Sequence, residues 1–225
     1  MSARRIHAVL FDLDGTLLDT APDLVGALNH LRALEDLPPV PLAELRPFVS
    51  QGALGLIRAG MPAAEEAATE RRRRRFLDFY ERHSLQGTTA FEGVEELLLR
   101  LENAGLPWGV VTNKPEYLTH PILEGVGWAR RAACVVCGDT LPRSKPHPDP
   151  VLLACERSGA VPERCLMVGD DPRDLLAARA AGSGPVLAAY GYGAPAVLES
   201  GEEVEMVAHV PADVARFAGL DIEVG

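Results

Sequence analysis

Long apolar runs are missing from this 225-residue sequence. No segment approaches the ~20 consecutive apolar residues that a bilayer-spanning helix needs. The N-terminal segment M-S-A-R-R-I-H-A-V-L-F-D reaches an aspartate too early for a secretory signal peptide. We therefore expect no membrane partner and a cytoplasmic location. Hydrophobic residues make up 47% and charged residues 24% of the chain, which is typical of a folded protein with a substantial core.

Positive charge is also scarce, since the formal net charge is -10. Such a balance disfavours nucleic acid as the main partner. The basic run Arg71–Arg75 does not change this expectation, because Glu70 precedes it and can pair with Arg74 at i+4. We interpret the run as a solvated helix face. An anionic substrate would then need local cations or a metal ion to draw it in.

Cysteine is limited to four residues, of which only Cys134 and Cys137 have the C-x-x-C spacing. A zinc site would need a second such pair, which the sequence does not contain. The segment C-V-V-C is instead typical of a buried β-strand in which cysteine acts as a small hydrophobic residue.

Short apolar runs alternate with helical patterns along most of the chain. The runs that we predict as buried strands are Ala8–Phe11, Trp108–Val111, Cys134–Cys137, Cys165–Val168, Val186–Ala189 and a weaker one near Val204–Val210. Helical patterns between them end at Gly105 and Gly182. The alternation predicts an α/β fold whose parallel sheet is covered by helices on both faces. Sheets of this kind bind ligands at the carboxyl ends of their strands.

One interval, residues 20–88, contains no convincing strand. Its helical stretches begin at Thr20, run from Leu42 to Ala59, and run from Ala63 to about His83. A helical segment inserted directly after the first strand predicts a separate cap over the strand ends. We therefore expect a catalytic core formed by residues 1–18 and 89–225, and an inserted α-helical cap domain formed by residues 19–88.

Polar side chains follow four of the predicted strands. They are Asp12, Asp14, Gly15 and Thr16; Thr112, Asn113 and Lys114; Ser144 and Lys145; and Asp170, Asp171 and Asp174. A parallel sheet would gather all of them at one edge, with five carboxylates in a small volume. Such crowding raises carboxyl pKa values and lowers stability unless cations are present. Mg²⁺ prefers oxygen ligands and binds one or two carboxylates together with substrate phosphate, so we predict a Mg²⁺ site here.

Lysine is the rarest charged residue. Lys114 and Lys145 are the only lysines, and the other twenty basic residues are arginine. A lysine retained in such a sequence indicates a need for a compact point charge rather than a planar guanidinium. Lys145 suits a position against both a phosphoryl oxygen and a carboxylate. For Lys114 a role in the site and a place on the surface are equally open.

Four segments together resemble the motifs of the haloacid-dehalogenase-like hydrolase superfamily. In chain order they are D-L-D-G-T-L-L-D-T, V-V-T-N-K-P, S-K-P-H-P-D-P and G-D-D-P-R-D. The similarity is greatest to the phosphoglycolate phosphatase-like branch, which carries a helical cap after the first motif. The resemblance implies a Rossmann-like core and a Mg²⁺-dependent phosphoric monoester hydrolase.

The resemblance also implies roles for individual residues. Asp12 would be the nucleophile that forms an aspartyl-phosphate, and Asp14 the general acid and then the general base. The metal ligands would be Asp12, Asp170 and the main-chain carbonyl of Asp14. An acid at position 14 favours phosphate esters over halides, because a departing halide needs no proton.

Further residues would surround the phosphoryl group. Thr112 and the Asn113 backbone would bind its oxygens, and Lys145 would neutralise its charge. Asp171 and Asp174 would orient waters and Lys145, with direct metal ligation by either one as the alternative.

The substrate class follows from the resemblance only in part. Phosphoglycolate is the first candidate, a sugar phosphate such as N-acetylmuramic acid 6-phosphate the second, and a β-phosphoglucomutase-like phosphotransfer the third. The loop Val49–Ala53, with Gln51 and Gly52 at its centre and Arg58 one turn beyond, is either the cap loop that reaches the substrate or an ordinary helix start. The sequence leaves both a monomer and a homodimer open.

Overall fold

The computed structural model describes residues 5–220, so the predicted core ranges extend beyond the described residues at both ends. Its strands are β1 (Ala8–Phe11), β2 (Leu18–Asp19), β3 (Thr89–Ala90), β4 (Trp108–Val111), β5 (Cys134–Val136), β6 (Cys165–Gly169), β7 (Gly184–Ala188) and β8 (Met206–Ala208). All six strands predicted from the sequence occur, with ends that differ by no more than two residues.

The six predicted strands form one parallel sheet in the order β5-β4-β1-β6-β7-β8. Strand β1 lies between β4 and β6, where Phe11 pairs with Val110 and Val168. The segments that follow these three strands therefore leave the sheet side by side at its carboxyl edge.

Helices cover the sheet and fill the interval after β1. They are α1 (Ala21–Ala33), α2 (Leu42–Leu45), α3 (Gly52–Gly60), α4 (Glu66–His83), α5 (Val94–Asn103), α6 (Glu116–Gly125), α7 (Asp149–Arg157), α8 (Pro172–Ala181), α9 (Ala194–Ser200) and α10 (Pro211–Phe217), with 3-10 helices at Arg46–Gln51 and Pro162–Arg164.

Both faces of the sheet are buried, as predicted. Side chains alternate along β1, so Val9 and Phe11 join one hydrophobic cluster while Ala8 and Leu10 join another on the opposite face. Each of these strands is therefore a continuous run of apolar residues rather than an alternation of apolar and polar residues. Within residues 5–220, no helix combines the length and the apolarity that a membrane crossing requires.

Between residues 21 and 83 the chain forms helices and the connections between them and contributes no strand to the large sheet, as the sequence predicted. The predicted helical stretch 42–59 is confirmed, although a 3-10 helix separates α2 from α3 within it. Pro47 lies within that 3-10 helix, where it has no N–H to donate, and Gly52 has a φ of 68°, which favours glycine. The middle of the predicted stretch is therefore a 3-10 helix rather than an α-helix.

The antiparallel pair β2–β3 joins the two ends of this helical segment. Leu18 pairs with Ala90, and Asp19 with Thr89. Two-residue strands carry too little periodicity to be recognised in the sequence. The pairing brings the chain into and out of the helical segment at one place next to the carboxyl edge of the sheet.

Candidate active site

Asp12 is the first residue after β1, and its amide donates to the Val168 carbonyl at 2.9 Å. This bond extends the β1–β6 pairing by one residue and fixes the backbone from which the Asp12 carboxylate projects. The Lys145 Nζ lies 2.7 Å from Asp12 Oδ1 and 2.6 Å from Asp174 Oδ1. With only 3% of its surface exposed, Lys145 is a buried cation held between two carboxylates.

Asn113 holds the segment that carries Lys145. Its side-chain amide donates to the Lys145 carbonyl at 2.8 Å and accepts from the Lys145 amide at 3.0 Å. Thr112 precedes it, is buried, and accepts a bond from the Lys114 amide at 3.1 Å through Oγ1. The loop after β4 therefore orients both lysines of the chain, while Thr112 and Asn113 line the cavity described below.

Asp170 follows β6 and is completely buried. Its carboxylate accepts hydrogen bonds from the Gly193 amide at 2.8 Å and from Thr16 Oγ1 at 3.2 Å. A Cβ at Gly15, where φ is 90°, would lie 2.4 Å from Asp170 Oδ2. A Cβ at Gly191 would lie 2.3 Å from Asp170 Cβ. Glycine is required at both positions because the backbone closes tightly around this carboxylate.

Asp12, Asp170 and Asp174 form a buried group whose carboxylate oxygens lie within 4.8 Å of one another. Burial raises the pKa of Asp12 to about 7; Lys145 opposes this shift, and the Asp174 charge adds to it. The pKa of Asp170 is raised well above its ordinary value by burial and by the charges of Asp12 and Asp174. Lys145 contacts two of the three carboxylates, those of Asp12 and Asp174. An all-oxygen donor set with excess negative charge fits a hard divalent cation such as Mg²⁺.

The two aspartates that were predicted to support the site differ in their contacts. Asp171 caps helix α8 by accepting from the Arg173 amide at 2.9 Å, and it also pairs with the Arg173 guanidinium at 2.7 Å. Asp174 closes the capping box by accepting from the Asp171 amide at 3.1 Å through its other oxygen. Asp174 therefore lies with Asp12 and Lys145, whereas Asp171 is directed to Arg173.

Asp14 points to a different cation. Its carboxylate lies 3.0 Å and 3.2 Å from Lys114 Nζ and accepts from Thr20 Oγ1 at 2.6 Å. Lys114 Nζ also donates to the Tyr80 hydroxyl of α4 at 2.8 Å. Burial lowers the pKa of Lys114, but the charges and hydrogen bonds of Asp14 and Tyr80 outweigh it, and the net shift is upward. The alternative of a surface position for Lys114 is wrong, because only 8% of its surface is exposed.

A cavity of about 280 Å³ opens between the sheet edge and the helical segment. One side, here called the sheet-edge wall, consists of Asp12, Asp14, Thr112, Asn113, Lys114, Pro115, Leu118, Lys145, Asp171, Arg173 and Asp174. The other side, here called the helical wall, consists of Leu24, residues 49–54, Arg73, Phe76, Leu77 and Tyr80. The structure thus brings predicted site residues from all four strand ends into one cavity. Asp170 is not among the lining residues and is buried next to them.

All five residues of the predicted substrate loop Val49–Ala53, including Gln51 and Gly52, line this cavity. Arg58, one turn beyond the loop, is exposed and is not among the lining residues. The run Arg71–Arg75 is not a uniformly solvated face, because Arg72 pairs with Glu35 and Arg73 lines the cavity. The prediction for this run was therefore wrong at two of its five positions.

Several site residues were not found from the sequence. Arg173 joins the two walls, since its guanidinium donates to the carbonyl of Ser50 in the predicted loop Val49–Ala53. Tyr80 and Arg73 project from α4 into the cavity, and the sequence places them among many similar helical residues. Arg173 lies inside the G-D-D-P-R-D segment, which was the signal in the sequence that could have identified it. For Lys114, the rarity of lysine in the chain was the available signal for a role in the site.

Comparison with known proteins places these residues in context. The sequence model described as haloacid dehalogenase-like hydrolase matches residues 6–182. A phosphoglycolate phosphatase of Xanthomonas campestris pv. campestris is 50% identical over 188 residues, which cover 83% of this chain and 84% of the relative. An N-acetylmuramic acid 6-phosphate phosphatase of Pseudomonas aeruginosa is 44% identical over 193 residues, which cover 85% of each chain.

Solved structures show the same architecture. A crystal structure described as a predicted phosphoglycolate phosphatase from Haemophilus somnus superposes with a TM-score of 0.82 at 28% identity, and the match covers 94% of this chain and 97% of the other. A second, from Lactobacillus delbrueckii subsp. bulgaricus, has a TM-score of 0.84 at 21% identity over 97% of this chain and 100% of the other, and supports the fold alone.

Proposed function

Because the chain belongs to the haloacid dehalogenase-like hydrolase family, we propose that it is a Mg²⁺-dependent phosphomonoesterase that acts through an aspartyl-phosphate on Asp12. The observation that supports this proposal most strongly is that two carboxylates, only two residues apart in the sequence, have different partners. Asp12 is bonded to Lys145 and grouped with Asp170 and Asp174, whereas Asp14 is bonded to Lys114 and Thr20. Two carboxylates in different surroundings can take different roles in one reaction.

In the first step an Asp12 oxygen attacks phosphorus, the P–O bond of the ester breaks, and Asp14 gives its proton to the departing alkoxide. In the second step Asp14 takes a proton from water, whose oxygen attacks the same phosphorus. The Asp12–phosphorus bond breaks, and inorganic phosphate and free Asp12 result. Lys145 holds the Asp12 carboxylate in place and balances phosphoryl charge, while Thr112 and the Asn113 backbone position the phosphoryl oxygens.

Asp12, Asp170 and the main-chain carbonyl of Asp14 are the proposed Mg²⁺ ligands, with Asp174 next to them. When bound, the cation would neutralise the carboxylate group and the phosphoryl oxygens. This placement is supported by the buried all-oxygen group at Asp12, Asp170 and Asp174. Asp171 has a separate role in the proposal, since it orients Arg173 against the helical segment.

Residues 19–88 are proposed to act as the cap domain, and residues 1–18 and 89–225 as the catalytic core. The helical wall closes the cavity over the sheet-edge wall, and a cap in that place would exclude bulk water during phosphoryl transfer. Gln51 and Gly52 would lie against the substrate. The bond from Arg173 to the Ser50 carbonyl is one contact that would hold the two parts together.

The proposed substrate is the phosphate ester of a small hydroxy acid. Phosphoglycolate is the first candidate and N-acetylmuramic acid 6-phosphate the second, and each is a carboxylic acid that also carries a phosphate ester. The second candidate is favoured by the length of the cavity, which follows α4 for two turns from Tyr80 to Arg73. A two-carbon acid would fill less of this length than an amino-sugar phosphate.

The proposal is tested by phosphate release from p-nitrophenyl phosphate and from a broad panel of phosphate esters. We expect turnover with Mg²⁺ and none in EDTA, and at least about 10³-fold lower kcat in Asp12→Asn. Asp78→Asn, at an exposed position of α4, is the matched control and should behave like the wild type. Wild-type activity in Asp12→Asn would refute the nucleophile assignment, and no turnover of any ester would refute the hydrolase.

A further inference from the structure

One face of α4 lines the cavity. Arg73, Phe76, Leu77 and Tyr80 are spaced at i, i+3, i+4 and i+7, so they lie along a single stripe of the helix. Tyr80 lies at the catalytic end, because its hydroxyl accepts a hydrogen bond from Lys114, which also binds Asp14. Arg73 is seven residues away, which is about 10 Å along the helix axis. The guanidinium therefore belongs to the part of the cavity that would receive the leaving group.

The other cations that line the cavity have their carboxylate partners in the same wall. Lys145 is paired with Asp12 and Asp174, Lys114 with Asp14, and Arg173 with Asp171. All four of these aspartates line the cavity as well. These three cations consequently leave the sheet-edge wall with no excess positive charge to offer a second anionic group of the substrate.

Arg73 differs in the position of its partner. Its Nη1 lies 3.3 Å from Glu70 Oε1, and the Glu70 side chain is 42% exposed and is not a lining residue. Glu70 is shared with Arg74, whose Nε lies 3.4 Å from the same oxygen. A pair of this kind is screened by water and contributes little, so the Arg73 guanidinium is available to an anion inside the cavity.

We propose that Arg73 is the specificity-determining residue of the site and binds the carboxylate of the leaving group, so that the enzyme selects phosphate esters that carry a second, acidic group. This inference rests on the phosphomonoesterase function proposed above. A guanidinium suits the role because its planar array of donors matches a carboxylate in a bidentate manner. Its exposed rim position allows the side chain to adjust to leaving groups of different length.

The test compares substrates that carry the acidic group with related esters that lack it. Phosphoglycolate is compared with 2-hydroxyethyl phosphate, and N-acetylmuramic acid 6-phosphate with N-acetylglucosamine 6-phosphate. In the wild type we expect higher kcat/KM for the acid of at least one pair. In Arg73→Gln we expect that preference to fall about tenfold or more, mainly through KM, since a charge-assisted hydrogen bond is worth at least this factor.

Arg74→Gln is the matched control. It removes an arginine from the same helix and the same Glu70 partner, but its side chain is 74% exposed and does not line the cavity. It should leave the preference for the acid unchanged. Arg73→Lys should restore part of the preference, because it keeps the charge without the bidentate geometry.

Two results would overturn the inference and leave the hydrolase intact. One is an equal loss of activity in Arg73→Gln on the acid, its uncharged counterpart and p-nitrophenyl phosphate. The other is a wild-type enzyme that hydrolyses these esters without preferring the acid of either pair. If the wild type releases phosphate from none of the esters, the proposed phosphomonoesterase function itself is refuted. That outcome is therefore distinguishable from a failure of the Arg73 inference alone.

Discussion

The two walls of the cavity hold their charged groups in opposite ways. In the sheet-edge wall, Lys145 and Lys114 are buried, and each contacts carboxylates at 2.6–3.2 Å. In the helical wall, Arg73 keeps a long contact to a half-exposed glutamate. Buried, multiply bonded groups are held rigidly, as phosphoryl transfer requires, whereas a solvated arginine is free to meet different ligands. In the proposed function, reaction type and substrate choice therefore depend on separate parts of the chain.

The largest expected effect comes from removing the Lys145 ammonium group from the sheet-edge wall. In Lys145→Met, Asp12 and Asp174 lose their buried partner, and we expect about 3–5 kcal/mol lower unfolding free energy together with loss of activity. Urea denaturation monitored by circular dichroism measures the change. Arg130→Met, at an exposed position, should change the unfolding free energy by less than about 0.5 kcal/mol.

A double variant tests whether Lys145 and Asp12 are energetically coupled. Asp12→Asn combined with Lys145→Met should be more stable than Lys145→Met alone, because one of the uncompensated carboxylates is gone. Simple addition of the two single effects would show that Lys145 and Asp12 are not coupled in the way their 2.7 Å contact implies.

The next largest expected effect is the dependence of the unfolding free energy on pH and on Mg²⁺. The pKa of Asp12 is about 7 in the folded chain against an ordinary value of 3.8. Between these values the folded state binds more protons than the unfolded state, so the contribution of Asp12 to stability falls as pH rises from about 4 to 7. In EDTA, the wild type should therefore lose stability relative to Asp12→Asn over this range, by a few kcal/mol.

Mg²⁺ should reverse that loss above pH 7, because the cation binds the deprotonated carboxylates. Chemical denaturation of both proteins between pH 4.5 and 8, with and without Mg²⁺, measures the difference. Stability curves for the two proteins that run parallel across this range in EDTA would contradict the placement of Asp12 in a crowded acidic group.

The smallest expected effect tests the contact between the walls. Tyr80→Phe removes the hydroxyl that accepts from Lys114 but keeps the ring, so kcat should fall several-fold, in keeping with about 1 kcal/mol for one hydrogen bond. Tyr117→Phe, at a 46% exposed position, is the matched control. If Tyr80→Phe matched the wild type in steady-state kinetics, the Tyr80–Lys114 contact would have no part in positioning Asp14.

The polar strand ends were predictable because the physical signal is local. An apolar run that ends in Asp12 or Asp170 marks a buried strand and the residue that leaves it, and parallel pairing then brings such residues to one edge. The contacts of Lys114 were not predictable in this way. They depend on α4, more than thirty residues away in sequence, which supplies the Tyr80 hydroxyl.

The roles of Asp171 and Asp174 show the same limit. Both lie within one short segment, and nothing local distinguishes them, but the capping geometry of α8 turns Asp171 to Arg173 and Asp174 to Lys145. Arg73 is one of five consecutive arginines, and nothing local distinguishes it from the others. Only its tertiary position makes it part of the cavity.

The sequence by itself determined the α/β fold, the helical insertion and the acidic strand ends, because hydrophobic periodicity and residue type act over a few neighbouring residues. Tertiary structure alone decided which cation faces which carboxylate, and which arginine of the run Arg71–Arg75 enters the cavity. Those choices depend on distances between segments far apart in the chain, and Coulomb and hydrogen-bond energies are set by such distances and by burial.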